Sequence, residues 1–395
     1  MKRQLPFDYA FRNLGRSYLR LMILLTGSTL VVLLALAAAG FTRGMQQTLV
    51  QPEPMHENVI LLGIGSEEGI ERSQISASIT TIATASIRGI KHEGRVPFIS
   101  PEIHIALPLR QTPESAPGSK ELSAVMRGVE PAALLVHPEV EIIEGHFPTP
   151  GSDQIMIGSL AATRLGIADA ELAIGKTLYF DNRPWTISGR FQAPNTVMDA
   201  EIWLPLNDLQ VATKREASLS CVIVSLDSPK AFPQADLFAK SRLDLEIAAI
   251  KERDYYASIA AFYQPIRAMI LITSGLIGIG ALLGGLNTMY AAFGARVREI
   301  GMLQALGYTR QAIVYNLTEE SLFAAGAGTF IGLVLGAVLL DGVAVRFSMG
   351  AFALTLDAPV MLTGLLVGLL VGFVGALPPA VRCLRLPITE ALKSY

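Results

Sequence analysis

Four stretches of this chain run for about 20 residues or more without a charged side chain, the length of helix that a bilayer core demands. The first is Leu21 to Phe41, LMILLTGSTLVVLLALAAAGF. The second lies between Arg267 and Arg296, the third between Glu320 and Asp341, and the fourth between Asp357 and Arg382. Across the 395 residues, 51% are hydrophobic and only 17% charged, and the mean hydropathy is +0.43. Such a chain is built to cross a membrane, not to bury one aqueous core. A net charge of −2 gives no electrostatic footprint for nucleic acid.

The flanks of the spans set an orientation. Lys2, Arg3, Arg12, Arg16 and Arg20 precede the first span. Arg296, Arg298 and Arg310 separate the second from the third, and Arg382, Arg385 and Lys393 follow the fourth. Only Arg346 lies between the third and fourth. Positive charge stays inside, so both termini and the middle loop are expected in the cytoplasm of a bacterial inner membrane. The first run is too long for a signal-peptide core, and FTRGMQQ after it has no small-x-small site. Ahead of it, Phe7, Ala10, Phe11, Leu14 and Tyr18 fall at helical spacing, with Arg12, Arg16 and Arg20 on another face. Residues 1–20 are expected as an interfacial amphipathic helix.

The expected fold is α-helical membrane protein: four transmembrane helices, with a large α/β periplasmic domain between the first and second. The spans are set at 21–41, 266–293, 317–340 and 358–381, the external domain at 42–264, and a short external loop at 341–357. Within 42–264 the texture changes to short apolar runs broken by Pro, Gly and Ser. NVILLGIG, ELSAVMRGV and SCVIVSL read as strands, RVPFISPEIHIALPL as extended chain, and SQISASITTIATASIRGI as a weak helix. The domain is divided into 42–150 with 220–264, and a β-rich part at 151–219.

One segment imitates a nucleotide site. AELAIGKT, Ala170 to Thr177, has the glycine-lysine-threonine ending of a P-loop. A P-loop needs a buried strand before it and a helix after it, so that backbone N–H groups face phosphate. Here LYFDNRPWTISGRF follows, which alternates as a hairpin turning at Asp181-Asn182. The segment carries no ATP site, and this chain is expected to hold no cofactor. His56, His92, His104, His137 and His146 lack metal spacing. In HPEVEIIEGH the residues His137, Glu139, Glu141, Glu144 and His146 are read as solvated surface, with a metal site as the alternative. Cys221 and Cys383 fall on opposite sides and cannot pair.

The middle loop is the informative segment. In GARVREIGMLQALGYTRQAIVYNLTEE, Val297, Ile300, Leu303 and Leu306 recur every third residue. Gly307 is a helix stop and Thr309 a cap for the next helix. A short amphipathic helix with a tight turn suits a groove on another protein, here with Val297, Ile300 and Leu303 facing that groove. Gly328, Gly332 and Gly336 in the third span, and Gly364, Gly368 and Gly372 in the fourth, are tandem G-x-x-x-G runs that bring helix backbones together. They serve packing within one chain or between two.

RVREIGMLQALGYTRQAIV resembles the cytoplasmic loop of the MacB/FtsX superfamily of ABC transporter permeases. EIIEGHFPTPGSDQIMIGSLAATRLGI with IGKTLYFDNRPWTISGRF is similar to that superfamily's periplasmic domain, and LPPAVRCLRLPITEALKSY to its C-terminal tail. The resemblance implies a transport subunit rather than an enzyme, with ATP and Mg held by a separate ABC ATPase dimer. It implies a second permease copy or paralogue, contact with membrane lipid, and a periplasmic adaptor as a possible partner. The coupling helix within 294–316 would be carried by Arg296, Val297, Arg298, Glu299, Ile300, Gly301, Leu303, Ala305 and Gly307. Three roles follow from the resemblance: export by mechanotransmission, release of lipoprotein or lipid as in LolCDE systems, and FtsX-like regulation of a periplasmic hydrolase. The orientation is testable on intact spheroplasts, where a membrane-impermeant maleimide should leave Cys383 unlabelled until permeabilisation; labelling beforehand overturns the four-span arrangement.

Overall fold

The structure, a computed structural model, describes residues 18–49, 57–113, 121–262, 264–294, 297–347 and 350–384. The amphipathic segment expected at 1–20 and the tail expected at 382–395 therefore lie largely outside the described residues, as does Arg296. The chain divides into two compact units. One holds residues up to Arg43, Pro265–Val343 and from Leu354 onward; the other holds Gly44–Gln264 with Ala344–Ala353.

The first unit is a helical bundle. Its long helices are α1 (Tyr18–Leu49, whose residues from Gly44 onward belong to the second unit), α4 (Gln264–Gly294), α6 (Arg310–Leu339) and α7 (Ala358–Leu384), with the short α5 (Val297–Ala305) between the second and third of these. Each long helix carries an apolar window fit to cross a membrane. Unbroken helix is what a bilayer imposes, because no water is present there to satisfy backbone groups. Both glycine runs lie where helices touch. A methyl group at Gly328, Gly332 or Gly336 of α6 would collide with Ser28, Val32 or Leu36 of α1. At Gly368 and Gly372 of α7 it would meet Thr329 and Ala325 of α6, and at Gly364 it would meet Leu36. The close approach is fastened by Thr29 Oγ1, which donates to the Gly328 carbonyl at 2.9 Å, and by Ser321 Oγ, which donates to the Gly372 carbonyl at 3.3 Å. Helix α6 begins at Arg310, ahead of the expected start of the span at 317, and Glu320 within it is buried.

The second unit is built on one mixed sheet. Its strands are β1 (Glu57–Gly63), β2 (Ile99–Leu109), β3 (Leu122–Val129), β4 (Glu141–Gly145), β5 (Gln154–Gly158), β6 (Thr177–Phe180), β7 (Arg183–Gln192), β8 (Ile202–Pro205), β9 (Cys221–Leu226) and β10 (Ile247–Lys251). The spatial order is β10-β1-β9-β2-β3-β8-β5-β7-β4, with β6 paired to β7. β2 joins the two halves: Ile99–Glu102 pairs with β9, and Ile103–Leu109 pairs with β3. The pairing thus divides inside β2, not at the expected boundary of 150, because β3 and β4 pair with β8 and β7 from beyond it. The apolar core runs from Val59 and Leu61 through Ile103 and Met126 to Trp185 and Ile187, all buried. The P-loop imitation lies in this domain. Thr177 starts β6, and Asp181 and Asn182, at φ 49° and 55°, form the two-residue turn into β7.

Residues 341–357, expected as a loop, contain a hairpin of β11 (Ala344–Phe347) and β12 (Gly350–Ala353). It belongs to the α/β unit and lies against the short helix α2 (Ala161–Leu165) and the turn Val197–Ala200. Ala351 and Phe352 are buried there. On the bundle side, Gly368→Leu should overpack the α6–α7 contact and cost about 1–3 kcal/mol. Gly275→Leu meets open space and should stay within about 0.5 kcal/mol. Thermal aggregation of the two variants in mild detergent decides; equal midpoints would remove the glycine contact as a source of stability.

Candidate functional site

Helix α5 follows α4 after two residues and is closed by Gly307 at φ 89°, where the Tyr308 N–H reaches back to the Leu303 carbonyl at 3.1 Å. Thr309 then caps α6, its hydroxyl accepting from the Ala312 N–H at 3.2 Å. The expectation that Val297, Ile300 and Leu303 meet a partner's groove is corrected by the structure. Val297, Ile300 and Gly301 are buried within the chain. Val297 and Ile300 share a cluster with Met289 of α4, Ile313 and Leu317 of α6 and Ala380 of α7, with Leu303 half-buried at its edge. The stripe reaches its own neighbours first because it is tethered to them. What α5 and the turn after it present outward is Arg298, Met302, Ala305, Leu306 and Gly307, with Met302 48% and Leu306 63% exposed. Glu299 lies between the two faces. Positions 298, 302, 305 and 306 share one helical face.

A second constellation, unread in the sequence, lies inside the α/β domain. Arg127 on β3 is 1% exposed. Its Nε donates to Glu201 Oε2 at 2.7 Å, its Nη2 to Glu201 Oε1 at 2.9 Å and its Nη1 to Glu102 Oε2 at 2.8 Å. His137, which the sequence placed on solvated surface, is buried and its Nε2 stands 3.0 Å from Glu102 Oε1. On its other side Glu139 and Glu252 face Nδ1 at 3.7 and 4.0 Å. Asn58 Nδ2 donates to Glu252 Oε2 at 2.7 Å and to the Val136 carbonyl at 3.1 Å. The cluster therefore ties the first strand of the domain to the first residue of α3 (Glu252–Phe262), its last helix. A charge in an apolar strand was the available signal: Glu102 and His104 stand two apart on one face of β2, and Arg127 interrupts AVMRGV.

The charges hold one another ionised. Burial pulls the His137 imidazole down, but the Glu102 charge and hydrogen bond outweigh it and raise the group to about 10. Burial pushes Glu102 up, yet Arg127 and His137 hold it well below the usual carboxylate range. Glu201 is likewise held low by Arg127 against burial. His104 is pushed down by burial and by Arg127, so it stays neutral. Glu102, His104 and Cys221 lie close enough to share a metal ion. They do not fit one: Glu102 is already spent on Arg127, His104 and His137, and burial pushes the Cys221 thiol well up. The arrangement is a clamp rather than a reactive centre.

The clamp has a pH signature. Folding raises His137 from 6.5 to about 10, so its stabilisation is full below pH 6.5 and is lost as pH climbs toward 10. Glu102 and Glu201 work the opposite way: their stabilisation is present above the ordinary carboxylate range and fades as pH falls below it. Both tryptophans, Trp185 and Trp203, are buried in this domain and report its unfolding. The Trp-fluorescence melting temperature of the full chain should fall between pH 7 and 10, corresponding to about 2–4 kcal/mol. His137→Gln should melt lower at pH 7 and lose that alkaline slope; an unchanged slope would exclude His137 as its source.

A model of the MacB-like periplasmic core domain matches residues 21–236, and one of the FtsX-like permease C-terminal region matches 271–388. The macrolide export ATP-binding/permease protein MacB of Nitrobacter winogradskyi is 28% identical over 258 residues, which span 61% of this chain and 38% of that protein. MacB of a Shewanella species is 22% identical over 98% of this chain and 60% of its own length. The chain thus spans less than two thirds of the length of these MacB proteins. The ABC transporter permease YknZ of Bacillus subtilis is 22% identical, covering 96% of this chain and 95% of that protein. Among solved structures, the periplasmic region of MacB from Actinobacillus actinomycetemcomitans superposes with a TM-score of 0.37 at 11% identity, over 51% of this chain and 92% of that one. The helices fit for crossing a membrane, the α/β domain inserted after the first of them, and the two matched models place the chain in the MacB-like, FtsX-like family of ABC transporter permeases, as a multi-pass inner-membrane protein.

Proposed function

We propose that this chain is the permease subunit of an ABC export system driven by a separate ATPase, and that α5 is the element that receives the ATPase. The observation that carries the reading is the division of α5 into two faces. Its inner face is buried against residues of α4, α6 and α7, so a push on the helix is passed to three membrane-crossing helices at once. Its outer face offers Met302 and Leu306 as apolar anchors and Arg298 as an orienting charge. An apolar anchor with a charged rim is how a helix seats in a protein groove.

In this reading ATP and Mg are bound by the partner, two permease copies face two ATPases, and both termini lie on the ATPase side. The work is mechanical. α1 is continuous from Tyr18 to Leu49, about 48 Å of helix against a hydrocarbon core of about 30 Å. It is locked to α6 through the glycine contacts, so displacement at one end of the bundle moves a rigid body. Arg296 stands with the ATPase contact by sequence.

Met302→Glu keeps the inner face intact and places a charge where an apolar groove is expected. It should reduce co-purification of the ATPase at least tenfold without lowering the melting temperature of the permease. Ile300→Glu, by contrast, should lower that melting temperature, because it buries a charge in the bundle. Full ATPase association and full ATPase rate in Met302→Glu would remove α5 as the contact.

A further inference from the structure

The glycines of the bundle fall into two groups. Those of the tandem runs meet neighbouring atoms, as described above. Gly27 of α1, Gly284 of α4 and Gly375 of α7 meet nothing within 4 Å of where a Cβ would stand. All three line one partly open cavity of about 390 Å³, whose walls come from α1, α4, α6 and α7. The space exists because side chains are missing from three of its walls.

Its chemistry is that of hydrocarbon. The hydroxyls that reach it are already used: Ser28 Oγ donates to the Leu24 carbonyl at 2.8 Å, and Ser321 Oγ donates to the Gly372 carbonyl. The rest of the wall is apolar, with Leu24 and Met289 among its members. A dry void forfeits contacts along its whole lining, and in a membrane the apolar solvent that can fill it is the lipid tail. The cavity is also placed near a cationic residue. It uses the later turns of α7, the end that carries Arg382. Arg382 is exposed and stands seven residues, about 10 Å of helix, beyond Gly375. Its guanidinium lies over the Tyr290 ring, 5.7 Å from the centroid, next in sequence to Met289.

We infer that this cavity is a binding site for one acyl chain of an anionic phospholipid, with the headgroup at Arg382. The tail occupies the space left by Gly27, Gly284 and Gly375, and the arginine draws the negative headgroup to the end of α7. The site shares Met289 with the cluster that seats α5, so the tail supports that seat from the membrane side. The inference stands apart from the ATPase contact, since its test reads lipid labelling alone.

The test is photolabelling of the full-length chain in phosphatidylcholine nanodiscs doped with phosphatidylglycerol that carries a diazirine in one acyl chain. Labelled peptides are mapped by mass spectrometry. Label should concentrate on residues 21–30 and 371–375. Gly27→Phe and Gly375→Phe, which fill the cavity, should each reduce that label at least tenfold. Gly275→Phe, at a glycine of α4 outside the cavity, should leave it unchanged and controls for a bulky ring in the bundle. Arg382→Ala should reduce labelling by the phosphatidylglycerol probe severalfold while leaving a phosphatidylcholine probe unaffected. Label spread evenly over α4 and α7 and unmoved by Gly27→Phe would overturn the site. Equal labelling by the two probes in the unsubstituted chain would overturn its preference for anionic lipid. Ile23→Cys, in a Cys383→Ser background, should give no disulfide-linked dimer; efficient cross-linking would assign the cavity to a second copy of the chain.

Discussion

An arginine side chain 1% exposed in the middle of a strand can persist only if its charge is met on several sides. Arg127 meets two carboxylates, from β2 and from the residue before β8, and those carboxylates in turn gather His104, His137 and Trp203. The periplasmic domain depends on this interaction because β3 lies where the two halves of its sheet are joined through β2. Asn58 and Glu252 extend the same network to the strand that opens the domain and the helix that closes it. Replacing such a cluster by apolar residues can leave a protein as stable or more so, whereas removing one partner strands a buried charge. The clamp therefore specifies geometry more than it supplies stability. It fixes the two ends of the domain to one another.

The bundle solves a different problem with different means. Lipid tails are as apolar as leucine, so helices gain by fitting closely rather than by escaping water. Gly328, Gly332 and Gly336 let α6 approach α1, and Gly364, Gly368 and Gly372 let α7 approach both. Where glycine faces no helix, as at Gly27 and Gly375, it leaves room instead. One residue type thus makes contact in one layer of the bundle and vacancy in another, and only the neighbour across the gap decides which.

How much of this was legible in the sequence follows from the range of the forces involved. The spans could be read because a bilayer demands long uninterrupted apolar helix, and that is a local property. The hairpin at Asp181-Asn182 could be read because two residues there need positive φ, and that too is local. The faces of α5 could not. Periodicity showed a stripe at Val297, Ile300 and Leu303, but not that α4, α6 and α7 cover it. The buried network was hidden for a similar reason: Glu102, Arg127, Glu201 and Glu252 are scattered along 150 residues of sequence and meet only through strand pairing. A charge within an apolar strand, as at Glu102 and Arg127, signals a buried partner but does not say which residue it is. The hairpin at 344–353 leaves little trace in the sequence because its strands are four residues long and alternate weakly.

That hairpin has a bearing on how the molecule is made. The periplasmic domain is not finished when the ribosome reaches Gln264. Its last piece, Ala344–Ala353, is made about 80 residues later, after α4 and α6 have been synthesised. Phe352 then fills a site beside the Val197–Ala200 turn that has stood open meanwhile. Contacts across so long a stretch of sequence close late and slowly, and the incomplete domain exposes apolar surface until they do. Insertion of two membrane helices is thus a step on the folding route of a domain that lies outside the membrane. A defect in α6 insertion would surface first as a misfolded periplasmic domain.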